Sequence, residues 1–155
     1  MTQRAIDGDF VYFVTTNTTH RRHFFVAAEQ VTLLGRIIKN ACRLKHFDLL
    51  GYAVLPNHVH ILVKNNNISI SGSRIHRFTV SDVLHSIKRN YSRQLQSGRL
   101  WKPRFNFRIV ADERRFGNTV SYMQFNWQKH GYDARYGESP FLHIDWLVIH
   151  NTLNI

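Results

Sequence analysis

The fold is decided by residues 49–64, LLGYAVLPNHVHILVK. Two apolar runs rich in β-branched residues flank the pair Pro56-Asn57, and such runs form β-strands. Proline cannot continue a central strand and asparagine favours turns, so the pair is expected to close a hairpin. The stretch therefore predicts two antiparallel strands, over residues 49–55 and 58–64.

Two further strands are predicted from aromatic and β-branched runs. Residues 10–16, FVYFVTT, precede the first helical pattern, and residues 105–110, FNFRIV, follow the second. Residues 64–78 are polar, with three consecutive Asn and a Ser-Gly-Ser, and are expected to form a long exposed loop.

Three helices are predicted from apolar residues that recur every three or four positions. The first covers residues 29–46, and the second begins at Ser81 as its N-cap. The third begins after Asp112 and ends at Gly131. The order β-α-β-β-α-β-α is that of a ferredoxin-like fold. We therefore predict an α+β protein with a ferredoxin-like (RRM-like), antiparallel four-stranded sheet and helices on one face.

Length and composition predict one globular domain. The chain has 155 residues, of which 43% are hydrophobic, and this suits a single domain over residues 1–155, with 132–155 as a C-terminal tail. The single cysteine, Cys42, excludes an internal disulfide and a cysteine-rich zinc finger. No apolar run is long enough to cross a bilayer and no signal peptide is recognisable, so we expect a cytoplasmic protein without a membrane partner.

The charge of the chain indicates a polyanionic partner. Lys and Arg together number 21 against 10 Asp and Glu, which gives a net charge of +11. High charge can serve solubility alone, but here the basic residues are clustered and interleaved with aromatic residues, which favours a nucleic-acid surface. The candidate DNA-binding residues are Lys88, Arg89, Arg93, Arg99, Trp101, Lys102, Arg104, Phe105 and Arg108.

His58 and His60 are candidate metal ligands. They are two positions apart on a predicted strand, so their side chains point from the same face of the sheet. Two imidazoles on one face can bind one metal ion. In a chain with 10 His, however, such a pair can also occur without a metal.

The third predicted helix supplies a further pair, Tyr122 and Asn126. They are one turn apart, about 40° around the helix axis, and point away from the apolar stripe of that helix. The Asn126 oxygen could act as a third metal ligand, with the Tyr122 oxygen nearby. Alternatively, Tyr122 flanks the core and Asn126 hydrogen-bonds locally. Tyr91 lies on the apolar stripe of the second helix and is expected to be a core residue.

Three motifs in this order resemble the single-tyrosine HUH transposases, the IS200-like family, and within it the REP-associated tyrosine transposases. They are LPNHVH at residues 55–60, WKPRF at 101–105 and Tyr122-x-x-x-Asn126. In the REP-associated branch a proline usually follows this asparagine, whereas Trp127 follows it here.

The resemblance implies residue roles and an activity. His58, His60 and Asn126 would be metal ligands and Tyr122 the nucleophile of a metal-dependent single-strand DNA transesterase, which cleaves and rejoins DNA through a 5′-phosphotyrosine intermediate. Mixed imidazole and oxygen ligands fit Mg²⁺ or Mn²⁺.

Single-stranded or hairpin DNA is the expected partner, since the phosphate must reach between sheet and helix, and the protein is expected to be a monomer or homodimer. Two other functions stay open. One is a non-catalytic RRM-like nucleic-acid-binding protein, and the other is a metal-dependent phosphodiesterase with water as the nucleophile.

Overall fold

The computed structural model describes residues 10–67, 77–138 and 141–153. Their strands are β1 (Val11–Thr18), β2 (Phe47–Leu55), β3 (His58–Asn65), β4 (Trp101–Ile109) and β5 (Leu142–Ile144). Their α-helices are α1 (Ala28–Leu44), α2 (Val80–Leu95), α3 (Glu113–Lys129), α4 (Tyr132–Tyr136) and α5 (Trp146–Leu153). None of the helices in these ranges is long and apolar enough to cross a membrane.

The strands form one antiparallel sheet in the order β4-β1-β3-β2-β5. The order of the first four strands is ferredoxin-like, so the predicted α+β fold and the predicted hairpin are confirmed. The sheet is one strand wider than expected, because β5 pairs with the outer edge of β2.

The two faces of the sheet carry different helices. Tyr12 and Val14 of β1 are fully buried on the face covered by α1 and α2, where Tyr52 of β2 lies against Gly35 of α1. Side chains alternate along a strand, so Phe13 points from the opposite face. That opposite face, which bears Phe13, Thr15, His58 and His60, is called the histidine face below. We expected helices on one face of the sheet only. However, α3 contacts the histidine face through Asn126 and Tyr122, so this face is also covered in part by a helix.

The ends of α2 and α3 follow from their capping residues. Thr79, rather than Ser81, is the N-cap of α2, because its Oγ1 accepts from the Asp82 amide at 3.3 Å while the Asp82 carboxylate accepts from the Thr79 amide at 2.8 Å. The prediction for α3 is confirmed. Asp112 caps it by accepting from the Arg115 amide at 2.8 Å.

The start of the predicted loop 64–78 is not exposed. Asn65 and Asn67 are buried, and the Asn67 side chain donates to the Lys45 carbonyl at 2.9 Å and accepts from the Phe78 amide at 3.0 Å. A side-chain amide can replace backbone partners in this way. Residues 68–76 lie outside the described part of the chain.

The C-terminal elements pack on the rest of the domain. Gly131, with a φ of 73° that suits glycine, separates α3 from the short helix α4. Trp127 of α3 donates to the Gly137 carbonyl at 2.7 Å, and this bond ties α4 to α3. The segment β5 then joins the sheet, and α5 contacts β2.

Candidate active site

The hairpin turn brings the two histidines into place at the start of β3. His58 is the first residue after the Pro56-Asn57 turn, and β1 pairs with this part of β3. The ring centroids of His58 and His60 are 4.8 Å apart. Both imidazoles therefore project from the histidine face, as the alternation of the strand predicts.

Neighbouring oxygen atoms orient both imidazoles. Nδ1 of His58 donates to Oδ1 of Asn57 at 2.7 Å, and Nδ1 of His60 is hydrogen-bonded to Oγ1 of Thr15 at 2.8 Å. A proton on Nδ1 leaves the lone pair of each ring on Nε2. Such contacts commonly fix the tautomer and orientation of metal-binding histidines.

Burial and positive neighbours keep the two imidazoles neutral. Burial lowers the pKa of His58 to about 4, and the charges of His130 and Arg21 contribute to the decrease. His60 is 3% exposed, and burial, together with His58, His130 and Arg108, lowers its pKa to about 3. Neutral imidazole is the form that binds metal ions.

Asn126 completes the cluster from α3. Its Nδ2 donates to Nε2 of His60 at 2.9 Å, and the side chain is 1% exposed. The contact agrees with the predicted presentation of Asn126 to the histidines, but the prediction that this side of the helix lies away from the core was wrong, because Asn126 is buried. Because α3 packs directly on the histidine face, the side that meets the histidines is also the buried side.

The cluster fits a divalent metal ion. Oδ1 of Asn126 is buried without a hydrogen-bond partner, although buried polar atoms rarely lack one. Rotation of the amide would turn this oxygen towards Nε2 of His60. Within the described ranges no three His, Cys, Asp or Glu side chains are placed to bind a metal. Two imidazoles and an amide oxygen are the donors that this cluster could offer to a divalent ion.

Tyr122 lies at the edge of this cluster. The side chain is 37% exposed, and its ring centroid is 5.4 Å from that of His60 and 6.1 Å from that of Phe13. Nζ of Lys129 lies 5.8 Å from the ring centroid. The tyrosine is thus accessible to a ligand that also contacts His60.

Tyr91 has the opposite environment, and its predicted core position is confirmed. It is fully buried, and its hydroxyl donates to the Gln30 carbonyl at 3.0 Å. Burial raises the pKa of this phenol further above its usual value.

A cleft of about 590 Å³ contains both His60 and Tyr122. Its walls also include Asn106 and Arg108 of β4, and the Arg108 guanidinium lies 5.0 Å from the ring centroid of Phe13. One of the predicted DNA-binding arginines therefore borders the cluster directly.

The other predicted basic residues lie outside this cleft. Nζ of Lys88 donates to the carbonyls of Lys102 and Arg104 at 2.9 and 3.3 Å, and burial lowers its pKa to about 8. It joins α2 to β4, so that the basic groups of these two elements form one surface. The exposed members are Arg89, Arg93, Arg99, Lys102 and Arg104.

The two aromatic residues predicted to contact DNA differ in their exposure. Trp101 is 8% exposed and its ring lies 5.4 Å from Phe25 and 5.9 Å from Tyr91, so it is a core residue without a free ring face. Phe105 is half-buried and lies beside Phe107 at 6.2 Å.

Sequence reasoning missed three residues of the site. Asn57 was interpreted only as a turn residue and Thr15 only as part of a strand. Arg21, whose charge acts on His58, was not among the predicted site residues. The position of Asn57 next to His58 in the sequence could have indicated its role. The role of Thr15 could not be predicted without knowing the register between β1 and β3.

Comparisons with known proteins identify the family of this chain. The model of the family described as IS200-like transposases matches residues 9–136. A REP-associated tyrosine transposase of Escherichia coli K12 is 25% identical over 132 residues, which cover 84% of this chain and 73% of the relative. A Haemophilus influenzae protein that carries the same name provisionally is 26% identical over 129 residues, 79% of this chain and 72% of its own length.

A solved structure of a REP-associated tyrosine transposase bound to a REP hairpin has the same fold. It superposes with a TM-score of 0.73 at 22% identity, over 92% of this chain and 81% of that one. The family match covers most of the sequence and includes the cluster of His58, His60 and Asn126 together with Tyr122. The chain belongs to the family of IS200-like transposases.

Proposed function

We propose that the chain is a metal-dependent single-strand DNA transesterase that cleaves and rejoins DNA through a 5′-phosphotyrosine intermediate. The observation that carries the proposal is the position of Tyr122. Its exposed ring lies 5.4 Å from His60, whose Nε2 contacts Asn126. A nucleophile thus stands next to a group of ligands that could hold a phosphate-activating ion.

Each residue has a distinct role in this proposal. His58, His60 and Asn126 hold Mg²⁺ or Mn²⁺, which when bound supplies Lewis-acid polarisation of the phosphate oxygens. The Tyr122 oxygen attacks phosphorus and gives up its proton. The bond from phosphorus to the 3′ oxygen breaks, this oxygen leaves as a 3′-hydroxyl, and the 5′ phosphate stays esterified to Tyr122. Attack by a 3′-hydroxyl reverses the step and rejoins the strand.

Single-stranded or hairpin DNA is the proposed substrate. The cleft at Tyr122 is bordered by Arg108, and the exposed basic residues of α2 and β4 provide a second cationic region for the phosphate backbone. A structural neighbour is bound to a REP hairpin, which supports a hairpin as the probe.

The test is formation of a covalent adduct. A labelled single-stranded hairpin is incubated with protein in Mn²⁺ or Mg²⁺, run on a denaturing gel, and the labelled peptide is mapped. We expect the label on the peptide that contains Tyr122, and none with Tyr122→Phe. Cleavage without an adduct would instead support water as the nucleophile, and label on another tyrosine would overturn the assignment.

Tyr91→Phe is the matched control. It removes the same atom from a buried tyrosine, so the adduct should form as in the wild type. The loss of the hydrogen bond to the Gln30 carbonyl should lower the free energy of unfolding by about 0.5–1.5 kcal/mol.

A further inference from the structure

The backbone of His20 and Arg21 adopts a conformation that L-residues rarely choose. Both have a positive φ, 56° and 52°, and two consecutive non-glycine residues in this region are unfavourable. His46 and Gln96 also have a positive φ, but they lie two residues after the end of α1 and one residue after the end of α2, where this conformation commonly ends a helix. The pair at residues 20–21 follows a strand, and it therefore requires another explanation.

Hydrogen bonds fasten this loop to the turn that precedes His58. The Thr18 amide donates to the Asn57 carbonyl at 3.0 Å, and the amides of Phe24 and Phe25 donate to the Pro56 carbonyl at 2.8 and 3.0 Å. The loop is held on both sides of its strained residues. Strain that is maintained in this way is often found at functional sites.

The loop that carries Arg21 also meets α4 beside the histidine cluster. The ring centroid of His23 lies 5.7 Å from that of Tyr132, and the Tyr132 hydroxyl donates to Oδ1 of Asn57, the neighbour of His58, at 3.4 Å. The charge of Arg21 opposes the rise in the pKa of Tyr132 that burial and Tyr136 cause. Arg21 thus lies near His58 and α4, whereas Arg108 lies near His60 and the cleft of Tyr122.

No acidic partner accounts for this arginine. Arg21 is exposed, and among residues 10–67, 77–138 and 141–153 no carboxylate lies within salt-bridge distance of it. A guanidinium in this position matches an anion with two oxygen atoms, and a phosphodiester is such an anion.

We propose that Arg21 binds a phosphate of the DNA strand that neighbours the scissile phosphate, on the His58 side of the cluster. This inference rests on the proposed function, because it places the scissile phosphate at the histidine pair. The strand would then be held on both sides of the reacting bond, by Arg108 beside Tyr122 and by Arg21 beyond His58.

The experiment measures binding without chemistry. The protein carries Tyr122→Phe and is kept in EDTA, and the probe is a fluorescent strand selected from a random single-stranded pool by its binding to this protein. Affinity is measured against salt for Arg21→Gln, Arg21→Gly and Arg21→Lys. Arg21→Gly is included because glycine accepts the positive φ, which separates loss of the guanidinium from loss of the loop conformation.

Arg22→Gln is the matched control. Arg22 is the adjacent exposed arginine, but its guanidinium lies over the ring of Phe24 at 5.3 Å and its backbone is extended. We expect Arg21→Gln and Arg21→Gly to weaken binding about tenfold and to reduce the salt slope by about 0.7, the value for one phosphate contact on a single strand. Arg21→Lys should keep the slope, and Arg22→Gln should change neither quantity.

A phosphate scan locates the contact. Each phosphate of the probe is replaced in turn by an uncharged methylphosphonate, and one replacement should weaken binding to the parent protein but not to Arg21→Gln. If Arg21→Gln and Arg22→Gln bind the probe with equal affinity and give the same phosphate scan as the parent, the inference on Arg21 is wrong. The proposed DNA binding of the protein would not be affected by that result. If the pool yields no binding strand at all, the proposed function itself fails.

Discussion

The side-chain amide of Asn126 lies 2.9 Å from Nε2 of His60, a residue 66 positions earlier in the chain. This contact joins α3 to β3 at the point where the nucleophile and the metal ligands are proposed to meet. Tyr122 lies one turn away on the same helix. A displacement of α3 therefore moves the tyrosine and one ligand together relative to the histidines.

Replacement of Asn126 by Ala should affect both stability and metal binding. Without metal, Nε2 of His60 loses its buried donor, so we expect the free energy of unfolding to fall by about 1–3 kcal/mol. Mn²⁺ affinity, measured by titration under electron paramagnetic resonance, should fall by at least tenfold. Gln128→Ala, an exposed position on the same helix, is the control. Unchanged Mn²⁺ affinity in Asn126→Ala would remove this residue from the metal site.

Asn57→Ala should weaken metal binding although Asn57 is not a proposed ligand. Oδ1 of Asn57 accepts from His58 at 2.7 Å and from the Tyr132 hydroxyl at 3.4 Å. Without this oxygen, the His58 ring loses the contact that orients Nε2. We therefore expect the Mn²⁺ affinity to fall by roughly 10- to 100-fold, which is typical when such a partner is removed. Asn57→Asp keeps the acceptor and should retain most of the affinity, whereas equal losses in both variants would speak against an orienting role.

The metal-free protein should lose stability as the pH falls below about 6.5, the ordinary pKa of histidine. The folded-state pKa is about 4 for His58 and about 3 for His60. Between these values and 6.5 the unfolded chain binds more protons than the folded one, so protonation favours unfolding. The stability lost should reach the order of a few kcal/mol near pH 4.

Urea denaturation at a series of pH values measures this effect. The double variant His58→Gln/His60→Gln should have a flatter pH profile between pH 4 and 6.5, the window set by these pKa values. His85→Gln, on an exposed position of α2, should keep the profile of the parent. A parent profile that is flat over this window would mean that the imidazoles are not held neutral by the fold.

The basic surface of α2 should contribute to DNA affinity but not to adduct chemistry. Arg89 and Arg93 are exposed and lie outside the cleft of Tyr122. The double variant Arg89→Gln/Arg93→Gln should reduce the salt slope of single-strand binding by about 1.4, or about 0.7 for each phosphate contact. At saturating DNA the rate of adduct formation should match that of the parent. An unchanged slope would remove α2 from the DNA-binding surface.

Local patterns in the sequence were sufficient to predict most of the fold. The hairpin depends on Pro56 and Asn57, and the helices depend on apolar periodicity, both of which act over a few residues. Tyr91 was assigned to the core for the same reason. The wrong N-cap at Ser81 shows the limit, because the choice of Thr79 depends on a reciprocal pair of bonds with Asp82.

Long-range packing accounts for what could not be predicted. The pairing of Thr15 with His60 depends on the register between two strands far apart in the chain. Trp101 is buried because Phe25 and Tyr91, from two other segments, meet at its ring. The buried position of Asn126 follows from the packing of α3 on the histidine face, and helical periodicity alone contains no information on that choice.

The bonds from Lys88 to β4 also affect how this sheet meets its surroundings. They occupy the carbonyls of Lys102 and Arg104 on an edge strand, and Pro103 between them has no amide hydrogen to offer. At the opposite edge of the described sheet, β5 is only 3 residues long. The first part of β4 and the short β5 therefore offer few unpaired backbone groups to an added strand. In a chain with 13% aromatic residues, this limits edge-to-edge aggregation at residues 102–104 and 142–144.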